Sequence, residues 1–239
     1  MSPNLGPVGK KPPLVGILGG MGPEATIELM GRVLRGTEAS GDQDHIPLLV
    51  YNNPQVPSRV EAFMGTGPSP VPTLVSMARS LIAAGATLLA MPCNTAHLAL
   101  EAIRSQLPVP ILDMTGLVAA RVVGAKRVGV LGTLATMRLR LYDRSLTGID
   151  VVYPSPHGQR ATAAVIDEVK ARGSWVVDPG PLDAAMADLV ASGAECLVLG
   201  CTELSLLASR LACPVPVVDP LQLLADEIVR LAGKHPSAA

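Results

Sequence analysis

Two stretches of eleven residues, AAGATLLAMPC at 83–93 and ASGAECLVLGC at 191–201, align without a gap and share five identities, the last of them a cysteine. Upstream, VGILGG at 15–20 pairs with VGVLGT at 128–133, and downstream PVPILD at 108–113 pairs with PVPVVD at 214–219. Three segments recurring in one order mark an internal duplication, and a duplicated unit builds the same local structure twice. Short aliphatic runs at 14–18, 48–51, 88–91, 111–112, 128–131, 151–153, 197–199 and 215–218 alternate with helix-like stretches, with Gly and Pro at the joints. That alternation predicts an α/β fold with mostly parallel sheets covered by helices. The duplication divides it into two similar, pseudo-twofold related α/β/α lobes, 14–115 and 116–219. Each places a thiol at the carboxyl end of a strand, where open parallel sheets bind ligands.

Composition narrows the partners. A chain of 239 residues, 49% hydrophobic and 16% charged, has apolar material for one packed domain or two small ones. Its net charge of -1 and five aromatic residues provide neither the basic footprint nor the stacking platform of a nucleic-acid binder. A small polar ligand is expected instead. The longest apolar window, 81–103, is interrupted by Pro92, Asn94 and His97, so no membrane segment is expected. The opening MSPNLGPVGKKPP lacks the apolar stretch of a secretory signal and reads as a loose arm, as do 234–239, so a cytoplasmic location is expected. Its four cysteines are then expected to be reduced. None forms a C-x-x-C pair, so no metal site is expected.

A free cysteine at a strand end is more often a small buried hydrophobe than a reagent. Cys196, inside an apolar run, and Cys213, with Leu107 at the matching place, keep that reading. Cys93 and Cys201 differ because they are partners in the duplication. Each precedes residues that can start a helix, Asn94-Thr95 and Thr202-Glu203, and a helix amino end is expected to lower a thiol's pKa. Two lobes facing across a cleft bring these sulfurs to opposite sides of one ligand. One thiolate could then remove a proton from one face of a carbon while the other thiol delivers a proton to the opposite face, which is inversion.

Several neighbours carry two readings. The turn GGMGPEA suits a carboxylate cradle at a helix start, yet Gly20, Gly22 and Ala25 also satisfy a dinucleotide fingerprint. No acidic residue ends the second strand, as that fingerprint requires. No lysine occupies a strand-end motif, which disfavours a Schiff-base cofactor. Glu203 could accept a substrate ammonium or simply favour a helix start. Asn52, at the end of the second strand, is a candidate contact. His97 fits a cap or surface role better than catalysis, and Asp113 and Asp219 could anchor the lobes or touch ligand.

The motifs GILGGMGPEAT, NNPQVPSR, MPCNTAH and GCTELSLL together resemble the aspartate/glutamate racemase family, and its aspartate racemase branch in particular, from about residue 14 to 231. Cell-wall glutamate racemases carry an Asp-Ser pair and a His where this chain has Gly19-Gly20 and Glu203. The resemblance implies cofactor-independent racemisation by Cys93, acting on the D enantiomer, and Cys201, acting on the L. It implies Asn94, Thr95 and Thr202 as binders of the amino-acid head group, with Met21 and Thr133 lining the cleft. It implies Arg59 and a basic residue of the second lobe, Arg160 where the family commonly has Lys, as holders of the side-chain carboxylate. Both arginines also fit ordinary solvated positions. A homodimer is implied, with a C-terminal helix at 220–233 packing on the first lobe. Beside aspartate stand glutamate, a broader amino-acid range, the related chemistry of a hydantoin racemase or maleate isomerase, and a catalytically silent binding module.

Overall fold

The computed structural model describes residues 12–233; of the loose ends expected at 1–13 and 234–239, residues 1–11 and 234–239 lie outside the described residues. The first half contains β1 (Val15–Gly19), α1 (Pro23–Gly36), β2 (Leu48–Asn52), α2 (Arg59–Phe63), α3 (Val71–Ala83), β3 (Leu88–Ala90), α4 (Leu100–Arg104) and α5 (Met114–Arg121). The second contains β4 (Arg127–Gly132), α6 (Leu134–Arg138), β5 (Asp150–Val152), α7 (Pro156–Arg172), α8 (Asp183–Ala191), β6 (Cys196–Gly200), α9 (Thr202–Ser205), β7 (Val217–Val218) and α10 (Pro220–Leu231). The fold is α/β, built as two lobes with all-parallel sheets ordered β2-β1-β3 and β5-β4-β6-β7.

The duplication survives at the level of register. Val15 pairs with Leu88 and Gly16 with Leu89; at the matching places Val128 pairs with Cys196 and Gly129 with Leu197. The expected strand at 111–112 shrinks to a single bridge, Leu89 to Ile111, but this bridge is the equivalent of Leu197 to Val217. Gly16 and Gly129 are needed for the same reason. A Cβ on Gly16 would lie 2.8 Å from Leu89 and 3.2 Å from Leu81, and one on Gly129 would lie 2.6 Å from Leu197 and 3.1 Å from Leu189. In both lobes a bare backbone lets a helix, α3 or α8, press onto the sheet. The strands β1 and β6 are buried along their whole length, as parallel strands covered on both faces must be.

The matched PVP segments end in matched caps. Asp113 accepts from the backbone N–H groups of Thr115 and Gly116 and starts α5; Asp219 accepts from that of Leu221 and starts α10. Both helices then cross the lobe boundary. Val118 of α5 and Val122 at its end pack with Val128, Val130 and Val198, whereas Leu221, Leu224 and Ile228 of α10 pack with Val15, Ile17 and Leu88. Each fully buried Leu or Ile contributes roughly 1.5–3 kcal/mol, so the exchange ties the lobes strongly. A buried polar tie adds to it. Arg32 of α1 reaches Asp219 at 2.5 Å, Glu28 at 2.8 Å and the Ser205 carbonyl at 2.9 Å, and Ser205 donates to Asp219 at 2.6 Å. Asp219 is therefore an anchor. Among the described residues no helix is long and apolar enough to cross a membrane.

Candidate active site

The carboxyl ends of the inner strands carry the chemistry. Met21 follows β1 and Thr133 follows β4, while Cys93, Asn94 and Thr95 follow β3 and Cys201, Thr202 and Glu203 follow β6. With Ser58, Arg59 and Val60 at the start of α2 and Lys170 near the end of α7, they line one small cleft between the lobes. Both sulfurs are buried in its walls at 5% exposure. Cys196 and Cys213 are not among the lining residues; Cys196 packs in the second lobe's core.

Two expected contacts lie elsewhere. Asn52 is exposed on the edge strand β2, paired with Gly19, and does not line the cleft. Arg160 is exposed on the first turns of α7. The cation from the second lobe is Lys170, ten residues further along α7, about 15 Å at 1.5 Å per residue. Burial alone would lower the pKa of its ammonium, but the negative charge that Cys201, Glu203, Asp167 and Cys93 can carry raises it. A strand-end search could not find a helical lysine. On α7, Lys170 lies one turn after Ile166 and Asp167, which with it and Thr133 line a small adjoining pocket.

The two thiols have unlike neighbours. Cys201 Sγ donates to Glu203 Oε2 at 2.8 Å, and the Glu203 side chain is buried beside it. Burial, then the carboxylate of Glu203, push the Cys201 thiol well above the ordinary thiol range, with Lys170 opposing. The expected lowering by a helix amino end does not prevail here, because α9 is a single turn of four residues. At the place matching Glu203 the first lobe has Thr95. Its hydroxyl meets Thr133 at 3.0 Å and Thr136 at 3.2 Å, a neutral bridge to the second lobe.

His97 proves to be neither a surface residue nor a lining one. It is buried, its Nε2 accepts from the Met114 backbone N–H at 3.1 Å, and its Nδ1 lies 2.8 Å from the Cys93 carbonyl. A backbone N–H can only donate, so Nε2 carries no proton and Nδ1 donates to Cys93. The imidazole is thus a neutral strut between the thiol's backbone and the start of α5; burial lowers its pKa, outweighing the Cys93 and Asp113 contributions. Arg59 donates to the carbonyls of Val56 at 3.0 Å and Pro57 at 2.9 Å. Two buried donors of cleft-lining residues, Arg59 Nε and Asn94 Nδ2, have no partner among the described residues.

Two lobes of one topology carry their paired thiols on a shared cleft. Consistent with this, the sequence matches the Asp/Glu/Hydantoin racemase family over residues 18–228, and the chain belongs to that family. It is 26% identical over 227 residues to a broad specificity amino-acid racemase of Bacillus subtilis, spanning 90% of this chain and 96% of the relative. It resembles the solved aspartate racemase of Picrophilus torridus at 29% identity and a TM-score of 0.77, over 93% of this chain and 95% of the other. A glutamate racemase of Thermus thermophilus shares the fold at 20% identity and a TM-score of 0.66, over 96% of this chain and 84% of the other.

Proposed function

We propose that the chain is a cofactor-independent amino-acid racemase whose preferred substrate is aspartate, inverted by Cys93 and Cys201. The observation that carries this reading is that both duplicated thiols line one cleft together with two cations, Arg59 and Lys170, and one carboxylate, Glu203. That charge set complements an acidic amino acid, which brings two carboxylates and one ammonium. One thiolate removes the α-hydrogen while the other thiol protonates the opposite face, and the reverse reaction exchanges their roles. The pair titrates as a unit, so activity is bell-shaped in pH. Cys93 acts on the D enantiomer and Cys201 on the L, as the resemblance implies. Arg59 and Lys170 hold the distal carboxylate, with Lys170 in the role first assigned to Arg160. Asn94, Thr95 and Thr202 hold the head group, and Glu203 Oε1, which lies over Gly22, is free to receive the ammonium.

Chiral chromatography of protein incubated with L-aspartate, without added cofactor, tests the reading. D-aspartate should accumulate toward an equal mixture. No inversion and no exchange of the α-hydrogen with deuterated solvent, for any acidic amino acid, sinks it. A second reading, a broader amino-acid range, is favoured by the near full-length likeness to the Bacillus subtilis enzyme. The same assay run over a panel of L-amino acids separates the two. The proposed partner is a second copy of the chain. The exposure of Ile27 at 65% and Leu34 at 55% on α1 supports it, and Leu34→Glu should reduce the mass measured by sedimentation.

A further inference from the structure

Tyr142 is the largest side chain buried without trace of exposure, and the catalytic scheme does not use it. It sits in the short turn Leu141–Arg144 of the second lobe, packed among Val128, Val130, Leu146 and Val198. Its hydroxyl crosses to the first lobe and donates to Asn94 Oδ1, its one hydrogen-bond partner among the described residues. With the amide oriented as in the structure, its oxygen accepts and the phenol donates. Burial, reinforced by the charges of Tyr153, Asp219, Cys201 and Asp113, holds the phenol well above its ordinary pKa, so the proton stays on it.

The consequence falls on the other end of the amide. Asn94 lines the cleft directly after Cys93, is 2% exposed, and its Nδ2 has no partner among the described residues. With Oδ1 occupied by Tyr142, the side not held is the NH2 group, a pair of donors with nothing of the protein to donate to. A flipped amide would instead offer an oxygen to a carboxylate and repel it. We propose that Tyr142 is a positioning residue that locks the Asn94 amide with its NH2 group turned to the cleft, where it donates to the α-carboxylate of the substrate. The α-carboxylate is the group concerned because Asn94 adjoins Cys93, whose sulfur has to reach the α-carbon. Charge moves onto that carboxylate as the α-hydrogen leaves, so the donor matters more in the transition state than in the bound ground state.

This inference rests on the proposed racemase reading, and its test separates the two. Tyr142→Phe keeps the ring and removes only the hydroxyl. It should lower kcat/KM for aspartate by about tenfold, the factor carried by one hydrogen bond to a charged group, with kcat falling more than KM rises. Asn94→Ala should cost at least as much. In the Asn94→Ala background the Tyr142→Phe change should have no further kinetic effect, because the tyrosine acts through that amide. A merely structural tyrosine would multiply the two losses and track the melting temperature. That result, or unchanged kinetics in Tyr142→Phe alone, overturns the inference and leaves the racemase reading standing. The second arm does not depend on turnover. The side-chain amide protons of Asn94, assigned by their loss in Asn94→Asp, should shift when succinate is added to the wild type and stay in place in Tyr142→Phe. If they do not respond in the wild type, the inference is overturned whether or not aspartate is racemised.

Discussion

Glu203→Gln is the perturbation with the sharpest outcome, because it changes one charge beside one of the two sulfurs and almost nothing in volume. In the folded protein Cys201 Sγ donates to Glu203 Oε2 at 2.8 Å. A hydrogen bond to a charged acceptor contributes about 1.5–3 kcal/mol, and here it is made only by the thiol form; the thiolate would face the carboxylate as a like charge. Removing the charge should therefore lower the thiol-to-thiolate ratio at Cys201 by a factor of about 10–150 at any given pH. The sign follows directly. Glu203 and burial hold the Cys201 pKa up, so the alkaline limb of the activity profile reports loss of the pair's last proton. Glu203→Gln moves that limb to lower pH. Initial rates of D-aspartate inversion across the alkaline range, followed by circular dichroism, measure it. The rate of iodoacetamide alkylation of Cys201 against pH, in a Cys93→Ala background, gives the same limb without catalysis. An alkaline limb that stays where it is in both assays, or moves upward, refutes the assignment of the Cys201 proton to the Glu203 bond.

Other outcomes follow from the same geometry. Cys93→Ala and Cys201→Ala should each abolish inversion, while each keeps solvent exchange of the α-hydrogen from at most one enantiomer; two-way racemisation by either variant contradicts the paired roles. Lys170→Met should reduce kcat/KM for aspartate about 10- to 1000-fold more than for alanine, the range expected when a charged group is left without its partner, and Arg160→Met should leave both unchanged. His97 is buried neutral with its pKa below the usual 6.5, so the unfolded chain takes up a proton first as pH falls. Stability is then full above that value and declines below it, and thermal melts of His97→Gln should lose this slope. Arg32→Ala should destabilise the fold by about 3–5 kcal/mol in urea melts, since it strands the Asp219 carboxylate near the crossing of α10.

The legibility of this chain depended on which features repeat. The duplication is written in the strands and in the residues that end them, so the α/β class, the two lobes and the convergence of Cys93 and Cys201 could be read directly. The short bridge at Ile111 was read as a strand because the matched PVP segments look alike; only the pairing partner tells how far each extends. The resemblance points to Arg160 because it stands where the family commonly has Lys, but a helix of 17 residues can present a cation to the cleft from any turn that faces it. Tyr142 escaped for a different reason. Its one polar contact is with a residue 48 positions away in the other lobe, and no local pattern marks such a bond. His97 was read as a surface or cap residue because spacing alone cannot reveal that both of its nitrogens are taken by backbone groups.

The duplication also explains why the two halves of the site had to stop being alike. Enantiomers have equal free energies, so an enzyme that interconverts them cannot shift the balance by making one thiol better than the other. Matched strands in matched register place the sulfurs as near equivalents. An amino acid, however, presents unlike groups around its α-carbon, and a fully symmetric pocket could not tell its carboxylate from its ammonium. The positions just after the thiols break the symmetry, with Asn94 and Thr95 on one side and Thr202 and Glu203 on the other. Amide and hydroxyl donors then gather beside Cys93 and a carboxylate beside Cys201. On the proposed mechanism this difference orients the head group so that the α-hydrogen points to one sulfur or the other. In that scheme the strands would supply inversion, and the two residues that follow each cysteine the handedness with which the substrate sits.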